Sequence, residues 1–281
     1  MKIIEPKVEL LSELDITPES HIARCARVCY GKEYKEPNQE TDEKMVDGLI
    51  KREHLSMVRH SSVYSVFVND NLPTDYKSEY VNYIEQGGYI YISTNMQFIF
   101  ENCCEEGIGN KNFLWLCKKY PKLFELYRMT FCITTQIGTS RELNRKSPNA
   151  IAERSTRYCS SKDGLLICRP WWLSSAKEAA FNSHSPINEL WYYNNAISKV
   201  EEAYLTLLGQ GMKPEDARGI LPLDTATKVI YTYSIREWKH ILDLRLYDKT
   251  GKAHPNAHVV MQMVKDQINN FAKEHSIDYQ V

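Results

Sequence analysis

The chain has 281 residues, of which 43% are hydrophobic and 25% charged, as in ordinary globular proteins. No apolar run approaches the roughly 20 residues that a membrane-spanning helix requires, and the mixed charged and apolar start is unlike a signal peptide. The 35 basic and 36 acidic residues argue against a general nucleic-acid binder but permit local basic sites. We therefore expect a cytoplasmic protein with neither a membrane nor a nucleic-acid partner.

The first half of the chain mixes helix and strand signals. The sequence Thr17-Pro18-Glu19 predicts a helix start, because a hydroxyl side chain caps a helix and proline suits its first turn. Runs rich in β-branched and aromatic residues predict strands. In chain order, we expect helices from 17 to about 30 and from 41 onward, strands at 62–68 and 88–93, and helical residues at 95–126 with breaks at 107–109 and Pro121.

The second half continues this mixture. Pro148 and Asn149 predict a loop, and Pro214 and Pro255 each open a predicted helix. The other expected elements are strands at 131–137, 165–168 and 229–233, and helices at 140–144, 188–208, 236–246 and 254–273. Strands and helices do not alternate regularly, which predicts an α+β fold with a mainly antiparallel sheet. No shift in composition marks a boundary, so we expect a single domain over residues 1–281.

The eight cysteines invite a search for a metal site. They lie at positions 25, 29, 103, 104, 117, 132, 159 and 168, without a Cys-x-x-Cys pair. Neither close pair has a second cysteine or histidine pair at zinc-like spacing. We therefore expect free thiols in a reducing cytosol and no metal.

The stretch from Arg141 to Arg157 concentrates positive charge in a chain of net charge −1. Its five basic residues face two acidic ones, Glu142 and Glu153. Guanidinium groups and a serine hydroxyl near a helix end suit a phosphate, because arginine donates bidentate hydrogen bonds and loops offer free backbone N–H groups. A solvated basic loop is the alternative that charge alone leaves open.

The spacing in this stretch resembles the signature of the flavin-dependent thymidylate synthase family, which is Arg-His-Arg, seven residues, then Ser. Arg145-Lys146-Ser147, seven residues and Ser155 keep that spacing. Ser-x-Glu-Leu precedes the motif, and Glu153-x-Ser155-x-Arg157-Tyr158 resembles its ending. Three further blocks, at 22–30, 49–60 and 217–245, resemble the family in the same order, so the resemblance covers about residues 18–265.

The resemblance implies the fold of that family and the C5 methylation of dUMP to dTMP. It implies FAD as cofactor, NADPH and methylenetetrahydrofolate as co-substrates, and a homotetramer whose active sites combine residues of different subunits. The implied substrate contacts are Glu142, Arg145, Glu153, Ser155, Arg157, Arg218 and Arg245. The implied flavin contacts are Ser56, Arg145, Lys146, Ser147, Ser234, Arg236 and His240.

Arg245 stands in an apolar helical context, where a buried guanidinium needs a partner. Asp243 or Asp248 would supply one in an ordinary salt bridge. The resemblance instead implies a catalytic role, in which this arginine favours the ionised N3 of the uracil ring and so raises the electron density at C5.

The chain also departs from the family pattern. Lys146 and Ser147 replace histidine and arginine of the motif, and Arg59 stands where the family usually has glutamate. We expect Arg59 to join the flavin site, supplying from the other side the guanidinium that Ser147 lacks. The departures leave two alternatives open, namely the same chemistry on UMP or a cytosine nucleotide, or a nucleotide-binding homologue without turnover.

Overall fold

The structure is a computed structural model that describes residues 1–32, 35–68, 76–102, 107–159, 161–173 and 189–281. Cys103, Cys104 and the first residue of the helix predicted at 188–208 lie outside these residues. The strands are β1 (Lys2–Ile4), β2 (Lys7–Leu10), β3 (Ser62–Val68), β4 (Asn82–Gln86), β5 (Tyr89–Asn95), β6 (Arg128–Gln136), β7 (Ile151–Glu153), β8 (Leu166–Cys168) and β9 (Ala226–Ser234).

Helices fill most of the remaining described chain. The α-helices are α1 (Pro18–Arg27), α2 (Gln39–Lys51), α3 (Met96–Asn102), α4 (Asn110–Lys119), α5 (Ile137–Leu143), α6 (Glu189–Gly209), α7 (Pro214–Ala217), α8 (Ile235–Arg245) and α9 (Pro255–Glu274). Short 3₁₀ helices occupy Val28–Tyr30, Leu55–His60, Pro121–Leu126 and Arg218–Ile220. Within the described residues, no helix is both long and apolar enough to cross a membrane.

The strands form three sheets. The largest has the order β2-β6-β9-β7 with every neighbouring pair antiparallel, and β3-β5-β4 form a second antiparallel sheet. Only the short pair β1 and β8 is parallel among the described strands. The mixture of helices with mainly antiparallel sheets confirms the predicted α+β class.

Local sequence signals explain where the helices that flank the site begin. The Thr17 hydroxyl accepts a hydrogen bond from the Ser20 backbone N–H at 3.2 Å, as predicted for the start of α1. Ser234 and Glu237 form a reciprocal capping box at the start of α8. Helix α2 begins two residues before the predicted Thr41, because Asn38 caps it by accepting from the Thr41 backbone N–H.

Strand β6 forms the centre of the core, and all nine of its residues are buried. Because side chains alternate along a strand, Phe131 packs with the cluster that includes α8 and α9, whereas Cys132 packs with Cys25 of α1. The predicted strand began three residues late, because Arg128 and Thr130 are polar yet buried. Hydrogen bonds stabilise both side chains there.

A buried line of polar side chains crosses between α1 and the 3₁₀ helix that ends at His60. Arg24 Nη2 lies 2.5 Å from His21 Nδ1, and because arginine can only donate, that nitrogen accepts and the neutral ring carries its proton on Nε2. Nε2 then donates to Thr130, which lies 2.8 Å from Thr232. The Thr232 hydroxyl lies 2.8 Å from His60 Nδ1.

Candidate functional site

A cleft of about 690 Å³ opens beside α5 and the start of β9. Its lining combines three arginines and a glutamate with hydroxyl and apolar side chains. These lining residues are Ile137, Arg141, Glu153, Arg154, Ser155, Thr156, Arg218, Gly219, Leu221, Pro222, Leu223 and Thr227. Three of the residues assigned by resemblance, Glu153, Ser155 and Arg218, therefore meet in one cavity.

Glu153 is a fixed hydrogen-bond acceptor in this cleft. It ends β7, which pairs with β9, and its Oε1 accepts from Ser140 Oγ at 2.9 Å and from Thr227 Oγ1 at 3.0 Å. Ser140 is fully buried on α5, so the carboxylate is oriented from two elements. Among the described residues no donor is bonded to Oε2, which leaves that oxygen available to a ligand hydroxyl or N–H.

The turn after β7 places hydroxyl groups against Arg218. The Ser155 backbone N–H donates to the Cys29 carbonyl at 3.1 Å, and Ser155 Oγ accepts from the backbone N–H of Arg157 at 3.2 Å. Arg218 Nη1 donates to Thr156 Oγ1 at 3.1 Å, while its Nε donates to the Glu215 carbonyl at 3.1 Å. The guanidinium of Arg218 is therefore oriented before any ligand binds.

Arg157 was assigned to the same contacts but does not line the cleft. Its Nε lies 3.6 Å from a Glu215 carboxylate oxygen, and its guanidinium lies 5.4 Å from the centroid of the Tyr158 ring. Half of its side chain is exposed, so it lies at the surface beside the cleft rather than inside it.

Two arginines in the cleft were counted in the basic stretch but not assigned a role from the sequence. Within the described residues, neither Arg141 nor Arg154 has a side-chain hydrogen bond or a salt bridge. A Cβ on Gly31 would lie 3.6 Å from Nε and Nη2 of Arg154, so the guanidinium rests against this glycine, whose φ is +66°. The excess of basic over acidic residues was the signal that could have identified both arginines.

The remaining assigned substrate residues form a second group around Arg245. Arg245 Nε donates to the Glu142 carbonyl at 2.8 Å, and its Nη1 donates to the Leu244 carbonyl at 3.1 Å. Partial burial and the positive charge of Arg145 lower the pKa of Arg245. The positive charges of Arg145 and Arg245 repel each other, and an anion bound beside both guanidinium groups would reduce this repulsion.

Helix α5 separates the two groups. Arg141 lines the cleft, whereas the Glu142 carbonyl accepts from Arg245 and the Glu142 carboxylate lies near enough to act on the pKa of Arg245. The substrate residues assigned by resemblance are therefore split between two surfaces of the chain. The salt bridge of Arg245 with Asp243 or Asp248, which the sequence left open, is not formed, because Asp243 pairs with Lys249 and Asp248 with His258.

The residues assigned to the flavin lie outside the cleft, and several bind within the chain. Ser234 is buried in its capping box, Arg236 pairs with Glu125 at 3.2 Å, and Lys146 lies 3.4 Å from Glu237. Arg59 donates hydrogen bonds from three nitrogens to neighbouring residues of its own chain. The exposed members of the set are Ser56, Arg145, Ser147 and His240.

The described residues also bear on metal binding. They contain no group of three or more histidine, cysteine, aspartate or glutamate side chains placed to hold a metal ion. Their six cysteines are free, and burial raises the pKa of the Cys168 thiol to about 12.

A cleft that combines three arginines, hydroxyl groups and one oriented carboxylate has the donors and the positive charge that a phosphorylated ligand requires. Residues 110–272 match the family model described as thymidylate synthase complementing protein, so the chain belongs to this family. The match contains both arginine groups, whereas Ser56 and Arg59 lie before it.

Two similar proteins carry the name flavin-dependent thymidylate synthase, which is consistent with this family. A flavin-dependent thymidylate synthase of Synechocystis is 28% identical over 137 residues, which cover 47% of this chain and 63% of the relative. The flavin-dependent thymidylate synthase of Halobacterium salinarum is 26% identical over 190 residues, which cover 61% of this chain and 73% of the relative. The chain thus spans less than two thirds of the Synechocystis relative.

Among solved structures, the chain is similar to the UMP/dUMP methylase PolB from Streptomyces cacaoi bound with 5-Br dUMP. The two share 16% identity and a TM-score of 0.45, over 97% of this chain and 93% of PolB. This likeness is too distant to carry an argument about the site.

Proposed function

We propose that the protein methylates dUMP at C5 to form dTMP, with a flavin cofactor, methylenetetrahydrofolate as the carbon donor and NADPH as the reductant. The observation that carries this proposal is the cleft inside the family match, where Glu153, Ser155 and Arg218 converge as the resemblance implies. A pyrimidine nucleotide offers this cleft the phosphate and the sugar hydroxyl that its donors and acceptors require.

In this proposal, different cleft residues bind different parts of the nucleotide. Arg218, held by Thr156, and the Ser155 hydroxyl bind the phosphate through charge-assisted hydrogen bonds. Oε2 of Glu153 accepts a hydrogen bond from the nucleotide, because Ser140 and Thr227 occupy Oε1. Arg141 and Arg154 add two guanidiniums that have no partner in the described chain.

Arg245 serves the ring rather than the phosphate. Two backbone carbonyls orient its guanidinium, so its other N–H groups point in a fixed direction and need no reorganisation when the ring binds. A fixed cation beside the uracil stabilises the ionised N3 and raises the electron density at C5.

The residues outside the cleft fit a flavin by the chemistry of their donors. Arg145 and Lys146 supply cations and Ser56 and Ser147 supply hydroxyl groups, a set that suits a diphosphate. His240 is exposed and adds a ring donor. When bound, the reduced flavin supplies hydride chemistry, so no enzyme thiol is required.

The separation of the two arginine groups supports active sites shared between subunits. One chain holds both the cleft and the Arg245 group, on different sides of α5. In the proposed homotetramer, the cleft of one subunit faces the Arg245 group of a neighbour, and the nucleotide binds both.

A substrate panel tests the proposal. The purified protein is expected to be yellow, to lose its colour with NADPH, and to convert dUMP to dTMP when methylenetetrahydrofolate is present. UMP and dCMP are run beside dUMP under the same conditions. Methylation of UMP or dCMP in place of dUMP would contradict the proposed substrate, and nucleotide binding without any product would contradict the enzymatic function.

A further inference from the structure

Arg59 lies at the end of the 3₁₀ helix Leu55–His60 and contacts three separate segments. Its Nε donates to Gln97 Oε1 at 2.5 Å, its Nη2 donates to the Tyr80 hydroxyl at 3.2 Å, and its Nη1 donates to the Asn149 carbonyl at 2.8 Å. The guanidinium also lies 5.2 Å from the centroid of the Tyr80 ring. Three of its nitrogens are therefore occupied within the chain.

Two of the three partners are themselves held in place. Gln97 is buried in the first turn of α3 and donates to Glu101. The carbonyl of Tyr80 accepts from Thr94 Oγ1 of β5 at 3.0 Å. The Arg59 carbonyl accepts from Arg128 Nη2 of β6 at 2.9 Å, so the arginine is fixed at its backbone and at its side chain.

The third partner belongs to the loop that follows α5 and carries the altered motif. On either side of residues 146–149 the backbone is bonded, because Arg145 N–H donates to Leu143 and the Ala150 carbonyl accepts from Thr232. From 146 to 149, the Asn149 carbonyl is the one backbone group that bonds to another element of the described chain. Among the described residues outside this loop, Arg59 is thus the one that bonds to its backbone, at Asn149. The Lys146 side chain adds two contacts, at 3.2 Å from the Ser147 carbonyl and 3.4 Å from a Glu237 carboxylate oxygen.

We propose that Arg59 is a positioning residue that fixes the 146–149 loop in its anion-binding conformation, and that it does not itself bind the flavin. The proposal rests on the proposed function for the identity of the ligand. The loop offers Lys146, the Ser147 hydroxyl and free backbone N–H groups, and these bind a phosphate well only if the loop is held in place before binding.

Positioning and direct binding predict different results for Arg59. If Arg59 positions the loop, its removal loosens the loop even without flavin, and an arginine introduced at position 147 does not restore the lost contact. If Arg59 binds the flavin phosphates directly, the empty loop is unaffected by its removal, and Ser147→Arg supplies the missing charge.

The first experiment is limited proteolysis of the flavin-free protein with trypsin, followed at the peptide bonds after Arg145 and Lys146. Arg59→Ala and Arg59→Lys are expected to raise the rate of cleavage in this loop at least tenfold, because lysine cannot reach all three acceptors. Tyr80→Phe removes one acceptor and is expected to raise this rate about threefold. The matched control is Arg52→Ala, since Arg52 is an exposed arginine bonded to the Gly48 carbonyl within α2.

The second experiment is titration with FAD. Arg59→Ala is expected to weaken FAD binding at least tenfold, Tyr80→Phe is expected to weaken it in the same direction, and Ser147→Arg is expected not to rescue Arg59→Ala. Unchanged cleavage of the loop in Arg59→Lys and Tyr80→Phe would overturn the proposal, as would full rescue by Ser147→Arg. If the wild-type protein binds no FAD, the proposed function fails, while the cleavage of the flavin-free protein still decides the role of Arg59.

Discussion

His60 provides a quantitative test of the buried polar line beneath the site. Its ring is fully buried, and burial together with the charges of Arg128 and Arg59 lowers its pKa from 6.5 to about 3. Burial and the charge of Arg24 likewise lower the pKa of His21. Both rings are therefore neutral in the folded protein at pH values where the unfolded chain takes up protons.

The sign of the pH effect follows from these shifts. Between pH 6.5 and about 3, the unfolded state binds a proton at His60 that the folded state does not, so stability falls as the pH falls. One such site gives a slope that approaches about 1.4 kcal/mol per pH unit well below pH 6.5, and a loss of about 2 kcal/mol in all from pH 7.5 to pH 5. Glu13 acts in the opposite direction, because burial raises its pKa.

The perturbation that isolates this contribution is His60→Gln, which still accepts a hydrogen bond from Thr232 but does not titrate. Urea denaturation at several pH values between 5 and 7.5 gives the free energy of unfolding. From pH 7.5 to pH 5, the variant is expected to lose about 2 kcal/mol less stability than the wild type. Ser56→Ala, at an exposed and non-titrating residue of the same 3₁₀ helix, is expected to leave the slope unchanged. Equal slopes for His60→Gln and wild type would refute the assignment of a neutral buried imidazole.

Three further predictions concern the site. Arg245→Ala is expected to lower dTMP formation at least 100-fold, and a rate within about tenfold of wild type, or roughly 1.4 kcal/mol, would contradict its role. Arg154→Ala loses a charged hydrogen bond of about 1.5–3 kcal/mol, so calorimetry is expected to show at least tenfold weaker dUMP binding, with Arg52→Ala unchanged. Ser155→Ala is expected to weaken dUMP binding but not flavin content, and loss of flavin with intact dUMP binding would assign Ser155 to the flavin.

Local signals predicted the longer elements of the fold. The β-branched and aromatic run at 62–68 is strand β3 with the predicted bounds, and Thr17 caps α1 as its sequence indicated. The short strands β1, β2, β4 and β7 were missed. Strand β7 has three residues, too few to show a period, and it is a strand only because β9 lies beside it.

The site was predictable in its members but not in its arrangement. The motif spacing identified Glu153 and Ser155, and the later block identified Arg218, which the structure brings together. No pattern along the chain could show that Arg141 lines the cleft while the neighbouring Glu142 contacts Arg245. The contacts of Arg59 were equally hidden, because Gln97 and Asn149 approach it only through tertiary packing. The single domain over residues 1–281 stays a prediction.

The most direct test of the central claim is growth of a thymidine-requiring strain that expresses this chain. We expect growth without thymidine for the wild-type sequence and none for Arg245→Ala produced at the same level. Growth in this assay requires the substrate, the cofactors and the product to be as proposed. A strain that contains the folded, flavin-loaded wild-type protein and still requires thymidine would contradict the assignment of dTMP formation.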